Sequence, residues 1–165
     1  MSLVVSDTSP LRYLVQLGHE QVLPQLFGEI VIPSFVRTEM QQPSTPQKVR
    51  AWAESLPDWI TVRAPVTVDL TLKVHRGEQE AISLALELGA RLILLDDRAA
   101  RLVAAQRGLR VTGLLAIVET AGERNLLSLP DTLNELRQNT SYRIDHRLVE
   151  QALARHQRRI RGPQP

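Results

Sequence analysis

Cysteine is absent from the 165-residue sequence, which excludes disulfides, thiolate metal sites and cysteine nucleophiles. Aromatic residues make up only 4% of the chain, whereas 43% of it is hydrophobic, so we expect an aliphatic core. No apolar run approaches the roughly 20 residues that a membrane-spanning helix needs. The N-terminus lacks a basic stretch followed by a long apolar one, so we expect no signal peptide and a cytoplasmic protein.

Glycine-rich nucleotide-binding loops are also missing, because the sequence contains neither a Walker-type motif nor Gly-x-Gly-x-x-Gly. Lysine occurs only at Lys48 and Lys73, so arginine carries most of the positive charge. Arginines cluster between residues 91 and 110 and again in the closing segment RRIRGPQP. The guanidinium fork suits phosphate oxygens, but it also suits surface ion pairs. Charge alone therefore leaves nucleic-acid binding open.

Segments of strand length alternate with segments of helical periodicity along the chain. The predicted strands are LVVS, EIVIP, WITVRA, RLILL and LRVTG, and RLILL is a continuous apolar run typical of a parallel sheet. Helices are predicted between them, with Ser9 as one N-cap and with Gly89 and Gly108 as helix ends. This alternation predicts an α/β fold, a three-layer α/β/α sandwich with a mainly parallel central sheet. We expect a single domain over residues 1–158 and a disordered basic tail over 159–165.

Carboxylates follow two of the predicted strands, and two more lie in helices. Asp7 comes after the first strand, and Asp96 and Asp97 come after RLILL. In open α/β sheets, ligands gather at the carboxyl ends of the strands. Glu39 lies in the helix after EIVIP, and Glu78 lies in the first turn of the helix EQEAISLALEL. We therefore expect these acids to converge in one pocket.

Carboxylates that are brought together repel one another, and a compensating cation favours their ionised forms. The four histidines lack close metal-ligand spacing and are interpreted as surface or packing residues: His19, His75, His146 and His156. Oxygen donors without cysteine or clustered histidine indicate Mg²⁺ or Mn²⁺ rather than zinc. On a carboxylate cluster, such ions typically serve phosphoryl chemistry, where they activate a water and neutralise developing charge.

Each acid also has a simpler structural explanation. Asp7 could begin a turn, and Glu39 could be a solvated helix residue. Glu78 lies where the helix dipole favours any acid. Either Asp96 or Asp97 could cap the next helix, and the two should not both point into the pocket unless the chain turns there. No single acid is therefore specific.

The order of four segments is more specific than any one acid. VSDTSPL, IPSFVRTEM, GEQEAISLALELGARLILLDDRAAR and YRIDHRLVEQAL together resemble a PIN domain, and most closely the PIN-like nucleic-acid-binding proteins related to VapC toxins. The likeness runs from Val4 to about Ala154. It implies an RNA-cleaving or RNA-binding fold with an acidic metal site. The family's catalytic and metal-binding acids fall on Asp7, Glu39, Glu78 and Asp96, with Asp97 as a rival metal ligand to Asp96.

The resemblance implies a Mg²⁺- or Mn²⁺-dependent endoribonuclease that leaves a 5′-phosphate, as the toxin of a VapBC-like toxin–antitoxin pair. Its expected partners are an RNA substrate, an antitoxin protein and a second copy of the chain in a homodimer. Two departures from the family pattern bear on catalysis. Glu78 replaces the commoner aspartate and so lengthens the arm, and Leu94 stands where many relatives have threonine.

Three alternatives compete with the nuclease interpretation. The first is a non-catalytic PIN-like module that binds RNA or protein and has a weakened metal site. A phosphatase with Asp7 as its nucleophile is disfavoured, because Ser9 stands where that motif needs a second aspartate. An aspartic protease is disfavoured because Ser9 replaces the glycine of Asp-Thr-Gly.

Overall fold

A computed structural model describes residues 3–162 of the chain. Its five strands are β1 (Val4–Ser6), β2 (Ile30–Ile32), β3 (Ile60–Val62), β4 (Leu92–Leu94) and β5 (Arg110–Thr112). They form one sheet in the order β3-β2-β1-β4-β5, and every neighbouring pair is parallel. The five predicted strands and the parallel sheet are confirmed.

Nine helices lie within the same described residues. They are α1 (Thr8–Leu17), α2 (Val22–Phe27), α3 (Ser34–Met40), α4 (Gln47–Glu54), α5 (Arg76–Glu87), α6 (Arg98–Gln106), α7 (Leu114–Glu123), α8 (Leu129–Asn139) and α9 (His146–Arg161). Contacts divide the chain into two compact units, Met1–Leu114 and Leu115–Pro165. The sheet and helices α1–α6 belong to the first unit. That residues 1–158 form a single domain stays a prediction.

The direction of the chain explains why helices cover both faces of the sheet. The chain moves outward from β1 to β2 and β3 through α1–α4, and it then returns to β4 and β5 through α5 and α6. Parallel crossovers are almost always right-handed, so opposite directions of travel put the two groups of helices on opposite faces. The residues of β1 and β2 are all buried, as strands between two helical layers should be. The predicted three-layer α/β/α sandwich is confirmed.

The aliphatic core of the first unit lies partly between the sheet and helices α5 and α6. It includes Val5 of β1 and Ile93 of β4, and both side chains are fully buried. Ile82 and Leu84 join it from α5, while Ala104 joins it from α6. This packing fixes the start of α5, which carries Glu78, relative to the ends of β1 and β4.

The direction of travel reverses between β1 and β4, which are neighbours in the sheet although about 90 residues separate them in sequence. The backbone amide of Asp7 continues their pairing by donating to the carbonyl of Leu94 at 3.0 Å. Such a reversal opens a crevice at the carboxyl ends of the two strands, where α/β proteins bind ligands. The sheet therefore brings Asp7 next to the segment that begins at Leu95.

Two local predictions differ from the structure. The first helix begins at Thr8 with Asp7 as its N-cap, so the prediction of Ser9 as N-cap is wrong. The hydrogen bond from the Asp7 amide to Leu94 explains this, because it carries the strand pairing up to the first turn of the helix. At the other end of the chain, residues 159–161 belong to α9 rather than to a disordered tail. Residues 163–165 lie outside the described residues.

The second unit is helical. Helices α8 and α9 pack against each other, and α9 buries Val149 and Ala152. Arg155 of α9 pairs with Glu119 of α7 at 2.8 Å, and Arg159 pairs with Glu123. These ion pairs and buried residues account for the length of α9. Among residues 3–162, no helix combines the length and the apolar character that crossing a membrane would require.

Candidate active site

The five predicted acids come from four segments of the first unit, and Asp96 and Asp97 share one of them. Asp7 ends β1 and is only 6% exposed, and Glu78 is the third residue of α5 and is 8% exposed. Glu39 lies near the end of α3 and is half-buried. Asp96 is also half-buried and follows β4 by two residues, while Asp97 is exposed at the N-cap of α6. Buried carboxylates outside ion pairs are uncommon in proteins, so Asp7 and Glu78 need a physical explanation.

Asp7 and Glu39 face the same glycine of α5. A Cβ atom built on Gly77 would lie 2.6 Å from Glu39 Oε2 and 3.5 Å from Asp7 Oδ1. The Thr8 hydroxyl donates to the same Glu39 oxygen at 2.6 Å, which fixes the direction of that carboxylate. The absence of a side chain at Gly77 is therefore what lets α3 and β1 bring their two carboxylates against the start of α5.

Glu78 reaches the cluster while it also serves its own helix. Its Oε2 accepts a hydrogen bond from the backbone amide of His75 at 2.9 Å, as part of a capping box at the start of α5. Burial raises the pKa of the Glu78 carboxyl, the His75 hydrogen bond lowers it, and the negative charges of Asp97 and Glu39 raise it again. The capping explanation is therefore correct, and it coexists with a place in the acidic cluster.

Asp7 has the most strongly perturbed pKa in the cluster. Burial is the main cause, and together with the charges of Glu78, Glu39 and Asp96 it raises the pKa of Asp7 from 3.8 to about 7. A hydrogen bond with the Thr8 backbone opposes this rise only in part. Burial and like charges both disfavour the ionised form, so Asp7 is only partly ionised at neutral pH unless a cation offsets the charge.

Asp96 and Asp97 make different backbone contacts. Asp97 Oδ1 accepts from the amide of Ala100 at 2.9 Å and so caps α6. Asp96 Oδ1 accepts from the amide of Leu114, at the start of α7, at 2.7 Å. Asp96 raises the pKa of Asp7, whereas Asp97 raises that of Glu78. Both acids therefore belong to the cluster, and the choice of Asp96 over Asp97 as a metal ligand stays a prediction.

A second glycine lies beside Asp96. A Cβ atom built on Gly113 would lie 2.9 Å from Asp96 Oδ1 and 2.6 Å from Arg101 Nη1. Gly113 therefore leaves room for an arginine and a carboxylate to approach the same point. The sequence alone did not indicate the roles of Gly77 and Gly113. Of the two, Gly77 could have been noticed in the sequence, because a glycine in the first turn of an otherwise strong helix lowers the stability of that helix and so requires an explanation.

The donor set fits a hard divalent cation in charge and chemistry. All the candidate ligands are carboxylate oxygens, the type that Mg²⁺ and Mn²⁺ prefer. The charge crowded around the buried Asp7 and the close approach of the Glu39 and Asp7 carboxylates at Gly77 agree with this. Within residues 3–162, however, no group of three or more His, Cys, Asp or Glu side chains already has the geometry to hold one ion. The acids converge as expected, and their catalytic and metal-binding roles stay predictions.

A cleft of about 420 Å³ opens beside the cluster. Its lining includes Glu78 and Asp97 from the cluster and Lys73 and His75 from the segment before α5. The cleft gives solvent access to the acidic edge of the sheet, with one fixed positive charge at its rim. A substrate that carries negative charge can approach the carboxylates only if cations compensate them.

Comparisons with known proteins agree with this architecture. A family model described as a PIN domain matches residues 3–158. Among solved structures, the fold is similar to a PilT N-terminus domain protein from the hyperthermophilic archaeon Sulfolobus solfataricus P2, with a TM-score of 0.51 and 14% sequence identity. That match covers 87% of this chain and 98% of the other, and at this identity it shows the fold alone. No curated protein matches the chain.

Proposed function

Because the chain belongs to the PIN-domain family, we propose that it is a Mg²⁺- or Mn²⁺-dependent endoribonuclease. Membership of this family indicates nuclease-like activity in general, and the choice of RNA and of these ions is the proposal. The observation that carries it is the convergence of acids on the buried Asp7 at the crevice between β1 and β4. A carboxylate is kept in such a place at a cost in stability, which implies a function for its charge.

The proposed roles follow from the positions of the side chains. Asp7, Glu39, Glu78 and Asp96 would hold the ion, and Asp97 could take the place of Asp96. When bound, the ion supplies the Lewis acidity that lowers the pKa of water and offsets the charge of a phosphodiester in its transition state. Asp7 acts in its ionised form, and so it must first lose the proton that its raised pKa retains.

The residues around the acids have positioning roles. Thr8 holds Glu39 through its 2.6 Å hydrogen bond, and Gly77, which has no side chain, lets the Glu39 carboxylate lie against the start of α5 beside Asp7. Arg98 and Arg101 lie in the first turns of α6, next to Asp97, and supply positive charge for the phosphates of the substrate. The proposed division of labour is therefore a carboxylate cluster for the ion and arginines for the nucleic-acid backbone.

The test of this proposal compares variants that differ by one charge. Asp7→Asn and Asp96→Asn are expected to lower Mn²⁺-dependent cleavage of a single-stranded RNA by about 100-fold or more, as the loss of one electrostatic contact to a transition state does. Circular dichroism spectra and melting curves check that both variants fold. If the wild type and both variants cleave equally, the activity comes from a contaminant or from other residues.

Asp97→Asn extends the same test to the choice between the neighbouring acids. We expect it to retain most of the activity and of the thermal stability, because the side-chain oxygen of asparagine can cap α6 about as well as that of Asp97. If Asp97→Asn loses activity and Asp96→Asn does not, the two roles are reversed.

A second candidate function is a binding module that does not cut. Oxygens of Glu78 and Asp96 already accept backbone hydrogen bonds, and Arg101 approaches the point that Asp96 faces. These contacts would weaken a metal site. A Mn²⁺ titration separates the two functions, since the nuclease requires binding in the millimolar range or tighter. RNA binding without Mn²⁺ binding or cleavage would favour the module.

We also propose the assembly that the family resemblance implies, a homodimer that acts as the toxin of a toxin–antitoxin pair. Size-exclusion chromatography with light scattering measures the mass of the particle and so tests the homodimer. Growth arrest on expression, absent in Asp7→Asn and relieved by the product of an adjacent small gene, would support the toxin and its antitoxin.

A further inference from the structure

A second cleft, of about 750 Å³, continues the first one along α6. The two clefts share Asp97 and Ala99, so the surface that begins at the acids extends without interruption toward the end of the helix. Its volume lies within the roughly 300–1,000 Å³ that is usual for sites that bind small ligands. The cleft therefore suits one unit of a substrate rather than a folded partner.

The lining of this second cleft combines arginines with apolar side chains. Arg98, Arg101, Leu102 and Ala105 recur at helical spacing on one face of α6, and Val111 of β5 also lines the cleft. Leu102 is 61% exposed, whereas a leucine that packed in the core would be buried. An exposed leucine in a cleft that two arginines also line can cover a flat, partly apolar ring next to a phosphate.

We infer that this cleft binds the base of one unpaired nucleotide adjacent to the scissile phosphate. The inference rests on the proposed nuclease function and names part of its substrate. Proteins that recognise single-stranded RNA stack splayed-out bases on aromatic rings or on arginine guanidinium planes. Here Leu102, Ala105 and Val111 supply the apolar surface, and Arg98 and Arg101 supply the planes and the charge.

The geometry also selects single strands. A base enters a cleft on the side of α6 only if it is unstacked and unpaired, and a duplex holds its bases inside the helix. Apolar side chains can contact the flat face of any base, so we expect the cleft to discriminate little among the four bases. The subsite therefore explains how the acidic edge receives RNA without a sequence-specific contact.

Leu102→Glu tests the subsite, with Leu148→Glu as its matched control. Leu102 and Leu148 are both exposed helical leucines, but Leu148 lies in α9, which belongs to the other unit. We expect Leu102→Glu to raise the KM for single-stranded RNA about tenfold with little change in kcat, which is the size of one lost stacking contact. Leu148→Glu should leave both constants unchanged.

Substrates that lack one base provide the second measurement. In a series of RNAs that each lack one base, the KM of the wild type should rise about tenfold when the missing base is at one particular position beside the cleaved bond. Leu102→Glu should be insensitive to that position. Equal behaviour of Leu102→Glu and Leu148→Glu, or an abasic series without effect, would overturn the subsite while leaving the nuclease intact.

A binding measurement keeps this test independent of cleavage. Fluorescence anisotropy of a short labelled single-stranded RNA compares Asp7→Asn with the double variant Asp7→Asn/Leu102→Glu. About tenfold weaker binding in the double variant would support the subsite even if the wild type does not cut RNA. Equal affinities would overturn it.

Discussion

Two glycines in the acidic cluster have different neighbours. Gly77 faces the carboxylates of Glu39 and Asp7, two negative groups. Gly113 faces the carboxylate of Asp96 together with the guanidinium of Arg101, one group of each sign. In both places the missing side chain provides the space in which charged groups meet.

The difference teaches that charge is unevenly compensated across the cluster. Around Gly77 like charges and burial hold the pKa of Asp7 at about 7. Around Gly113 an arginine is already close to Asp96. The need for an added cation is therefore concentrated on the side of Asp7 and Glu39, and each of the following predictions tests this contrast.

The largest expected effect is on stability as a function of pH. Without divalent ions, the unfolded chain releases the proton of Asp7 near its ordinary pKa of 3.8, whereas the folded protein retains it up to about pH 7. The free energy of unfolding should therefore fall as pH rises between these values, by at most about 4 kcal/mol. Below pH 3.8 Asp7 is protonated in both the folded and the unfolded state, so the stability that this residue contributes is fully present there.

Urea unfolding in EDTA, followed by the fluorescence of the paired Trp52 and Trp59, measures this fall. Asp7→Asn is the control, because its neutral side chain has the same shape and no proton to lose. The variant should show a smaller fall and should be more stable than wild type at pH 8. If the stabilities of the two proteins depend on pH in the same way, the pKa of Asp7 is not raised by its surroundings.

The next effect concerns the Gly77 side of the contrast. In Gly77→Ala the new methyl group would displace the Glu39 carboxylate, which lies 2.6 Å away, and Mn²⁺ affinity should weaken about tenfold. Stability without metal should change by less than about 1 kcal/mol, since alanine favours the helix and offsets the crowding. Isothermal titration calorimetry and thermal melts measure the two quantities.

Gly122→Ala is the matched control in the second unit. A Cβ atom there would lie 2.9 Å from the Cβ of Leu129, so this variant should lose stability and keep its Mn²⁺ affinity. Unchanged Mn²⁺ binding in Gly77→Ala would show that the space at Gly77 does not serve the ion.

The smallest effect concerns the Gly113 side. Arg101→Gln removes the cation next to Asp96, so the cluster becomes more negative and Mn²⁺ affinity should rise about threefold, the size of a partly exposed ion pair. Arg98→Gln removes a charge from the same cleft but not from the space at Gly113, and its Mn²⁺ affinity should change less. Equal changes in the two variants would mean that Arg101 has no special relation to Asp96.

The sequence predicted the parts of the molecule that depend on local pattern. Apolar runs such as RLILL identify buried strands by themselves, and their alternation with helices is enough for a parallel sheet. Because the carboxyl ends of parallel strands share one edge, the convergence of Asp7 with Asp96 also follows from topology. Glu39 and Glu78 were also expected to join them, but an acid on a helix carries little information of its own, and the family resemblance supplied their expected roles.

The missed features depend on contacts between distant segments. The space at Gly77 has meaning only once α3 brings Glu39 to it, and the space at Gly113 only once α6 brings Arg101. The N-cap of α1 was predicted at Ser9, but the N-cap is Asp7, whose amide extends the strand pairing to Leu94, and the helix begins at Thr8. Local patterns in a single sequence do not reveal such contacts between distant segments.

The pairing of β1 with β4 has a consequence for the newly made protein. Asp7 is synthesised about 90 residues before its partner strand and Asp96, so a growing chain that ends between them holds only part of the acidic cluster. If the complete cluster is what cuts RNA, the order of synthesis keeps the nascent chain from cutting the message that encodes it until β4 and Asp96 have been made.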